Sequence, residues 1–83
     1  MFLAKVYVTL KPLVNDPQGI AILGALHNLG YNSVEGVRAG KYLEIQINEA
    51  DKLTAEKVIT EMAQKLLANL VIEDFRFELA KLE

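Results

Sequence analysis

The stretch Ala55-Glu56-Lys57-Val58-Ile59-Thr60-Glu61-Met62-Ala63-Gln64-Lys65-Leu66-Leu67-Ala68-Asn69-Leu70 carries the clearest periodicity in the chain. Ala55, Val58, Ile59, Met62, Ala63, Leu66, Leu67 and Leu70 recur at steps of three and four, while Glu56, Lys57, Thr60, Glu61, Gln64 and Lys65 fill the opposite side. That spacing predicts an amphipathic helix whose single apolar stripe must lie on another layer. The stripe, Met62 included, is assigned to the core and not to a docking helix. Just ahead, Glu49-Ala50-Asp51 places carboxylates at the positive end of the helix dipole, where Asp51 or Thr54 can cap, and Asn69 closes the helix.

The layer beneath it is legible on either side. From Phe2 to Leu10 the chain alternates, with Ala4, Val6, Val8 and Leu10 on one face and Leu3, Lys5, Tyr7 and Thr9 on the other. Near the end, Phe75, Phe77 and Leu79 alternate with Asp74, Arg76, Glu78 and Ala80. Both runs read as strands. Between them, Pro12 interrupts the first strand and Asp16-Pro17 reads as a cap followed by proline in the first turn of a helix. That helix is expected from Pro17 to Leu29, with Ile22, Leu23, Leu26 and Leu29 inward and Gly30 as its stop. After the Asn32-Ser33 turn, Val34–Ala39 and Lys41–Asn48 read as two strands joined at Ala39-Gly40, the second with Leu43, Ile45 and Ile47 on one side and Tyr42, Glu44 and Gln46 on the other.

The resulting order, β-α-β-β-α-β, predicts an α+β, two-layer, ferredoxin-like domain: a four-stranded antiparallel sheet with both helices on one face. Its other face is left open. Leu3, Tyr7, Tyr42, Ala80 and Leu82 are expected on or near that face, as an apolar patch through which the domain self-associates via its sheet.

Composition agrees with one packed domain over residues 1–83, since 52% of the chain is apolar and 24% charged. A core this small stabilises weakly, and with no cysteine and no Cys/His cluster neither disulfides nor zinc can staple it, which leaves oligomerisation. The start, Met1-Phe2-Leu3-Ala4-Lys5, lacks the pattern of a secretory leader, and no apolar run approaches a membrane span, so a cytoplasmic location is expected. A net charge of −2 disfavours nucleic acid as a partner.

The inventory offers little chemistry. His27 is the single histidine, mid-helix with no acidic orienter nearby in sequence, and reads as a surface or interface residue. Thr9, Thr54, Thr60 and the single Ser33 lie far apart and outside any nucleophile motif. Glu49-Ala50-Asp51 and Glu73-Asp74 are explained by capping and solvated strand edges, and no glycine-rich phosphate loop follows a strand, since Gly19 and Gly24 fall within the first helix and Gly36 and Gly40 in the hairpin. The chain is expected to bind no cofactor or metal and to hold no catalytic residue. What folding alone leaves over is Lys11, Pro12, Asp16, Pro17, Gln18 and Gly19, with Arg38, Gly40 and Lys41. Arg38 and Lys41, beside a turn on an acidic protein, suit either solubility or an acidic partner surface.

Those same residues carry a resemblance. Lys11-Pro12, Asp16-Pro17-Gln18-Gly19, Ala25-Leu26-His27-Asn28-Leu29-Gly30 and Val37-Arg38-Ala39-Gly40-Lys41, with Leu66-Leu67-Ala68-Asn69 and Val71-Ile72-Glu73-Asp74, resemble the PurS family over essentially the whole chain. Leu13 stands where that family commonly has glycine, and Asn15 where it has leucine. The resemblance implies the small subunit of phosphoribosylformylglycinamidine synthase, in purine biosynthesis. It implies a homodimer or homotetramer joined to a large ATP-using synthetase subunit and a glutaminase subunit, so that ammonia passes directly to formylglycinamide ribonucleotide. The complex would use ATP and glutamine. Lys11, Pro12, Asp16, Gln18, Arg38, Gly40 and Lys41 are then the candidate contacts to the large partners, and Leu3, Tyr7, Tyr42 and Leu82 the candidate self-contacts.

Two other classes share the predicted architecture. A regulatory module would bind a small molecule, such as an amino acid, at a dimer interface. An acylphosphatase-type enzyme would need an arginine in the loop after strand one, which here offers Lys11 and Pro12 but no arginine.

Overall fold

Alternation of side chains across β1 (Phe2–Leu10) buries Phe2, Ala4, Val6 and Val8 completely or nearly so, and this strand becomes the centre of the molecule. The computed structural model describes residues 1–82. Antiparallel partners flank β1 on both sides: β2 (Gly40–Ile47) and β3 (Glu73–Lys81), in the order β2-β1-β3. In register, Val6 stands between Leu43 and Phe77, and Ala4 between Ile45 and Leu79, so each row of the core face is apolar across three strands. Over that face lies α2 (Lys52–Met62), with Ala55 and Ile59 fully buried. Its start follows the sequence: the Asp51 carboxylate accepts from Thr54 N at 3.2 Å and from Thr54 Oγ1 at 2.9 Å.

The predicted stripe holds through Met62 and Ala63 and then turns. Residues Ala63–Leu67 continue α2 as one π-helical turn, closed by Ala68 N donating to Ala63 O at 3.0 Å. The extra residue in that turn swings the following side chains round the axis. Ala68 is buried, Leu66 is 82% exposed and Leu70 45% exposed, against the expectation that both leucines face inward.

The first helix, α1 (Pro17–Asn28), begins and ends as its sequence dictates. Asp16 caps it, and Gly30 at φ +99° closes it, with Gly30 N on His27 O and Tyr31 N on Leu26 O, both 3.0 Å. Its packing differs from the expected inward stripe. Leu23 and Leu26 are half-buried, but Ile22 is 41% exposed and Leu29 73%, and Ile20 is bare as well. Among the described residues no sheet packs beneath them.

A second correction explains the first. Residues 34–39, expected as a strand that hairpins into the next, have no regular secondary structure and pair with no strand among the described residues. The sheet is three-stranded for that reason. A two-residue hairpin at Ala39-Gly40 would need positive φ, and among the described residues only Gly30 has it. The chain passes through Gly40 without reversing, because Gly40 already belongs to β2 opposite Thr9. A Cβ there would stand 2.7 Å from Val8 O, so strand-to-strand approach is what requires glycine at this position.

The molecule is therefore long and thin, 49 × 29 × 14 Å. Its radius of gyration is 16.3 Å, where a compact chain of this length has about 12 Å. A nine-residue strand accounts for about 30 Å of the length; the rest is an arm in which α1 and residues 34–39 run antiparallel. His27 Nε2 donates to Val34 O at 2.7 Å at one end of the arm, and Gly19 lies against Val37 O at the other.

Candidate functional site

Where the arm leaves the sheet, the residues singled out by sequence come together. The β1–α1 loop is short of secondary structure, and its carbonyl groups need donors. Arg38 supplies them: its guanidinium donates to Lys11 O at 3.0 Å and to Val14 O at 3.2 Å from both terminal nitrogens. Asp16 reciprocates. Buried, it accepts from Gly19 N at 3.0 Å and from Ala39 N at 2.8 Å, so one carboxylate caps α1 and also fixes the segment that returns beside it. These backbone donors, Gly19 first, hold its carboxyl below the usual aspartate range, with Arg38 adding to the effect.

Beside this clamp is a cleft of about 300 Å³ lined by Val8, Leu10, Asp16, Gln18, Ala39, Gly40, Lys41 and Glu73. Lys41 spans its far side, donating from Nζ to Leu67 O at 3.2 Å and standing 3.8 Å from the Glu73 carboxylate. The lysine thus meets the carbonyl end of α2, where a cation is favoured. Glu73 in turn accepts from Asn69 N at 2.7 Å. On the outer side Lys11 is 3.9 Å from Asp74, and Lys11 N donates to Ile72 O at 2.8 Å, which ties the loop to the approach of β3.

Of the seven candidate partner contacts, Asp16, Gln18, Gly40 and Lys41 line the cleft, while Lys11 and Arg38 meet in the loop behind it and Pro12 lies exposed beside them. Asp16 and Arg38 spend their hydrogen bonds inside the chain. Gln18 and Pro12 are exposed, and Lys11 and Lys41 keep 42% and 55% of their side-chain surface open. Sequence reading missed Glu73 and the Leu67 carbonyl as members of this end of the fold. Strand pairing gives the signal, since Leu10 stands opposite Glu73 and Val8 opposite Lys41.

An arginine does therefore enter the loop after β1, from 24 residues away along the chain. It faces carbonyl oxygens, however, and not the ring of N–H donors that would cradle a phosphate, so the acylphosphatase reading gains nothing from it. His27 is an exposed residue that pins the arm. Among the described residues no group of three or more His, Asp or Glu is placed to hold a metal ion, and no helix is long and apolar enough to cross a membrane.

The open sheet face carries the self-contact candidates, but it is not a contiguous apolar patch. Leu3 lies beside Ala80 and Gln46, Lys5 sits between Glu44 and Glu78, and Tyr7 sits between Tyr42 and Arg76. The two tyrosine rings are 5.1 Å apart, and the Arg76 guanidinium stacks 4.0 Å above Tyr7. Tyr42 donates to Glu44 at 2.8 Å, and that carboxylate pushes the phenol up to about 12. Leu82 lies past the end of β3, its N–H on Met1 O at 2.8 Å. Bare apolar side chains lie elsewhere: Leu13 in the β1–α1 loop, Ile20 and Ile22 on α1 with Leu29 and Tyr31 after it, Leu53 on α2, and Leu66 and Val71 beyond it.

The family model PurS, phosphoribosylformylglycinamidine (FGAM) synthase, matches residues 3–81. The phosphoribosylformylglycinamidine synthase subunit PurS of Bacillus subtilis is 51% identical over 78 residues, covering 94% of this chain and 92% of that protein. The crystal structure of PurS from Methanocaldococcus jannaschii, described as one of the subunits of formylglycinamide ribonucleotide amidotransferase in the purine biosynthetic pathway, is 37% identical with a TM-score of 0.90, each chain covered fully. A chain of the PurLQS structure from Thermotoga maritima shares the fold, with a TM-score of 0.86 over 96% of this chain and 99% of that one at 22% identity.

Proposed function

Since the chain belongs to the PurS family of phosphoribosylformylglycinamidine synthase, we propose that it is that enzyme's non-catalytic small subunit in purine biosynthesis, working in the cytoplasm as a homo-oligomer. It joins an ATP-using synthetase subunit to a glutaminase subunit and binds no cofactor itself, while the complex uses ATP and glutamine. The observation that carries this reading is 51% identity to a relative of that name along nearly the whole length of both chains. The shape of the protomer supports it physically. An arm with no sheet beneath it and with Ile20, Ile22 and Leu29 in water is a surface that another polypeptide has to cover.

The mechanism is one of geometry. Ammonia released from glutamine is largely protonated near neutral pH and diffuses away, so holding the two active sites together raises its effective concentration at the acceptor. Within this assembly Lys11, Pro12, Gln18 and Lys41 present the surface to the partners, and Asp16 and Arg38 give that surface its shape. Co-expression with synthetase and glutaminase subunits tests the reading. The expected result is co-elution in the presence of glutamine and ADP, with glutamine-dependent formation of the amidine lost when this chain is omitted and ammonia-dependent formation retained. Failure to co-elute, with glutamine-dependent turnover unchanged by omission, would overturn it.

A further inference from the structure

The open sheet face places a tyrosine ring beside a carboxylate twice, and only one of the two pairs holds a cation. On β3 the Arg76 guanidinium lies 4.0 Å from the centre of the Tyr7 ring and donates to the Glu78 carboxylate, two residues along, at 3.3 Å. Ring and carboxylate together make a seat for a guanidinium, which stacks on the first and donates to the second. Opposite Tyr7 on β2, Tyr42 and Glu44 offer the same two groups. The Tyr42 hydroxyl donates to Glu44 at 2.8 Å, which fixes ring and carboxylate relative to each other, and the residue stays 50% exposed. Among the described residues Glu44 has no salt-bridge partner, and no cation stacks on Tyr42.

We propose that this second seat takes an arginine side chain presented by one of the larger subunits of the complex. This rests on the subunit reading above and gives it a specific contact. Charge favours a cation here, because Glu44, Glu78 and Asp74 outnumber Lys5 and Arg76 on the face, and the whole chain carries −2. A second copy of this chain has no arginine to offer. Its sequence holds two, Arg38 and Arg76, and both are engaged: the first on the carbonyls of the β1–α1 loop, the second on Tyr7 and Glu78. Lysine is a compact, strongly hydrated charge without the planar fork that meets a ring and a carboxylate at once. The occupant therefore belongs to a different polypeptide. Tyrosine and arginine are also the residue types that dominate the energy of protein contacts. A subunit that joins two others needs two surfaces, and the open face is a second one in addition to the loop end that carries Lys11 and Lys41.

Phenylglyoxal, which modifies arginine side chains, reads the contact directly. In the complex assembled with the native chain, mass spectrometry should find an arginine of a larger subunit protected, and that protection should vanish with Tyr42→Leu at concentrations where the variant is fully bound. Tyr42→Leu and Glu44→Gln should each raise the Kd for that subunit about fivefold or more, whereas Tyr42→Phe, which keeps the ring, should raise it less than about threefold. Both side chains lie at the surface, so the far-ultraviolet spectrum and the mass of the free variants in solution should match the native chain. Equal losses in Tyr42→Phe and Tyr42→Leu overturn the stacking. Unchanged affinity in Tyr42→Leu and Glu44→Gln, the absence of any protected arginine, or a changed mass of the free variants overturns the seat and leaves the subunit reading standing. A native chain that binds neither larger subunit overturns both.

Discussion

Two glycines of α1 offer a matched pair of perturbations whose outcomes should differ in sign. Gly24 lies mid-helix with open space where a Cβ would go. Gly24→Ala should therefore deliver the helix propensity of alanine, about 1 kcal/mol, and raise Tm by roughly 4–8 °C for a domain of this size. Gly19 lies in the first turn of the same helix, where alanine is also favoured over glycine. Its Cβ, however, would run into the Val37 carbonyl oxygen and lie 2.7 Å from Asp16 Oδ2. The first of these is backbone, held by the Asp16 bond to Ala39 N, so the clash cannot be relieved by a rotamer change. Overpacking of this kind costs about 1–3 kcal/mol, which cancels or exceeds the propensity gain. Gly19→Ala should thus melt at least about 4 °C below Gly24→Ala. Thermal melts by circular dichroism, at one protein concentration because self-association shifts Tm, read the difference. If Gly19→Ala proves as stabilising as Gly24→Ala, residues 37–39 do not lie against the first turn of α1 and the clamp described above is wrong.

Three more outcomes follow from the same contacts. Ile59 is fully buried over β1, so Ile59→Ala should cost about 2–5 kcal/mol in urea unfolding, and a loss under 1 kcal/mol would mean α2 does not sit on that face. The depressed Asp16 carboxyl stabilises the fold fully above the ordinary aspartate pKa of 3.8 and loses that contribution as pH falls through its lower folded value. The stability gap between the native chain and Asp16→Asn should accordingly be flat from pH 5 to 8 and shrink in acid; a gap independent of pH would remove the charge from the argument. Arg38→Gln, which keeps donors but neither the fork nor the charge, should loosen the 11–14 loop, seen as faster amide exchange at Val14, whose N–H bonds Lys11 O at 2.9 Å. Unchanged exchange there would show that Arg38 does not hold the loop.

Much of this structure was legible because it is local. Alternation over Phe2–Leu10 sets the buried face of β1, Asp16-Pro17 and Asp51 start helices by filling orphan N–H groups, and Gly30 stops one by taking positive φ. Each depends on neighbours within a few residues. What was not legible is long-range or cumulative. The π turn at Ala63–Leu67 rotates Leu66 into solvent while leaving the spacing of apolar residues unaltered, so periodicity alone cannot reveal it. The hairpin expected at Ala39-Gly40 rested on a glycine whose purpose is close approach to Val8 O and not reversal. In the candidate site, the sequence marked Asp16, Arg38 and Lys41 as unexplained by folding but could not say that the first two face inward. That depends on contacts spanning 23 to 27 residues.

The inward use of Asp16 and Arg38 changes what their substitution would mean. Both lie at the hinge between sheet and arm, and the arm carries Ile20, Ile22 and Leu29 at the end of a lever about 18 Å long. A few degrees of rotation at the hinge moves the far end of α1 by an ångström or more, enough to take apolar side chains out of register with whatever covers them, since packed surfaces tolerate little misfit. Loss of assembly in an Arg38 variant therefore does not require Arg38 to touch a partner. Lys41 differs: its bonds to Leu67 O and Glu73 sit on the sheet side of the hinge, so its removal leaves the arm's direction intact. Assembly that survives in Lys41→Ala but fails in Arg38→Gln assigns the clamp the task of aiming the arm, whereas the reverse order places the docking energy at the lysine itself.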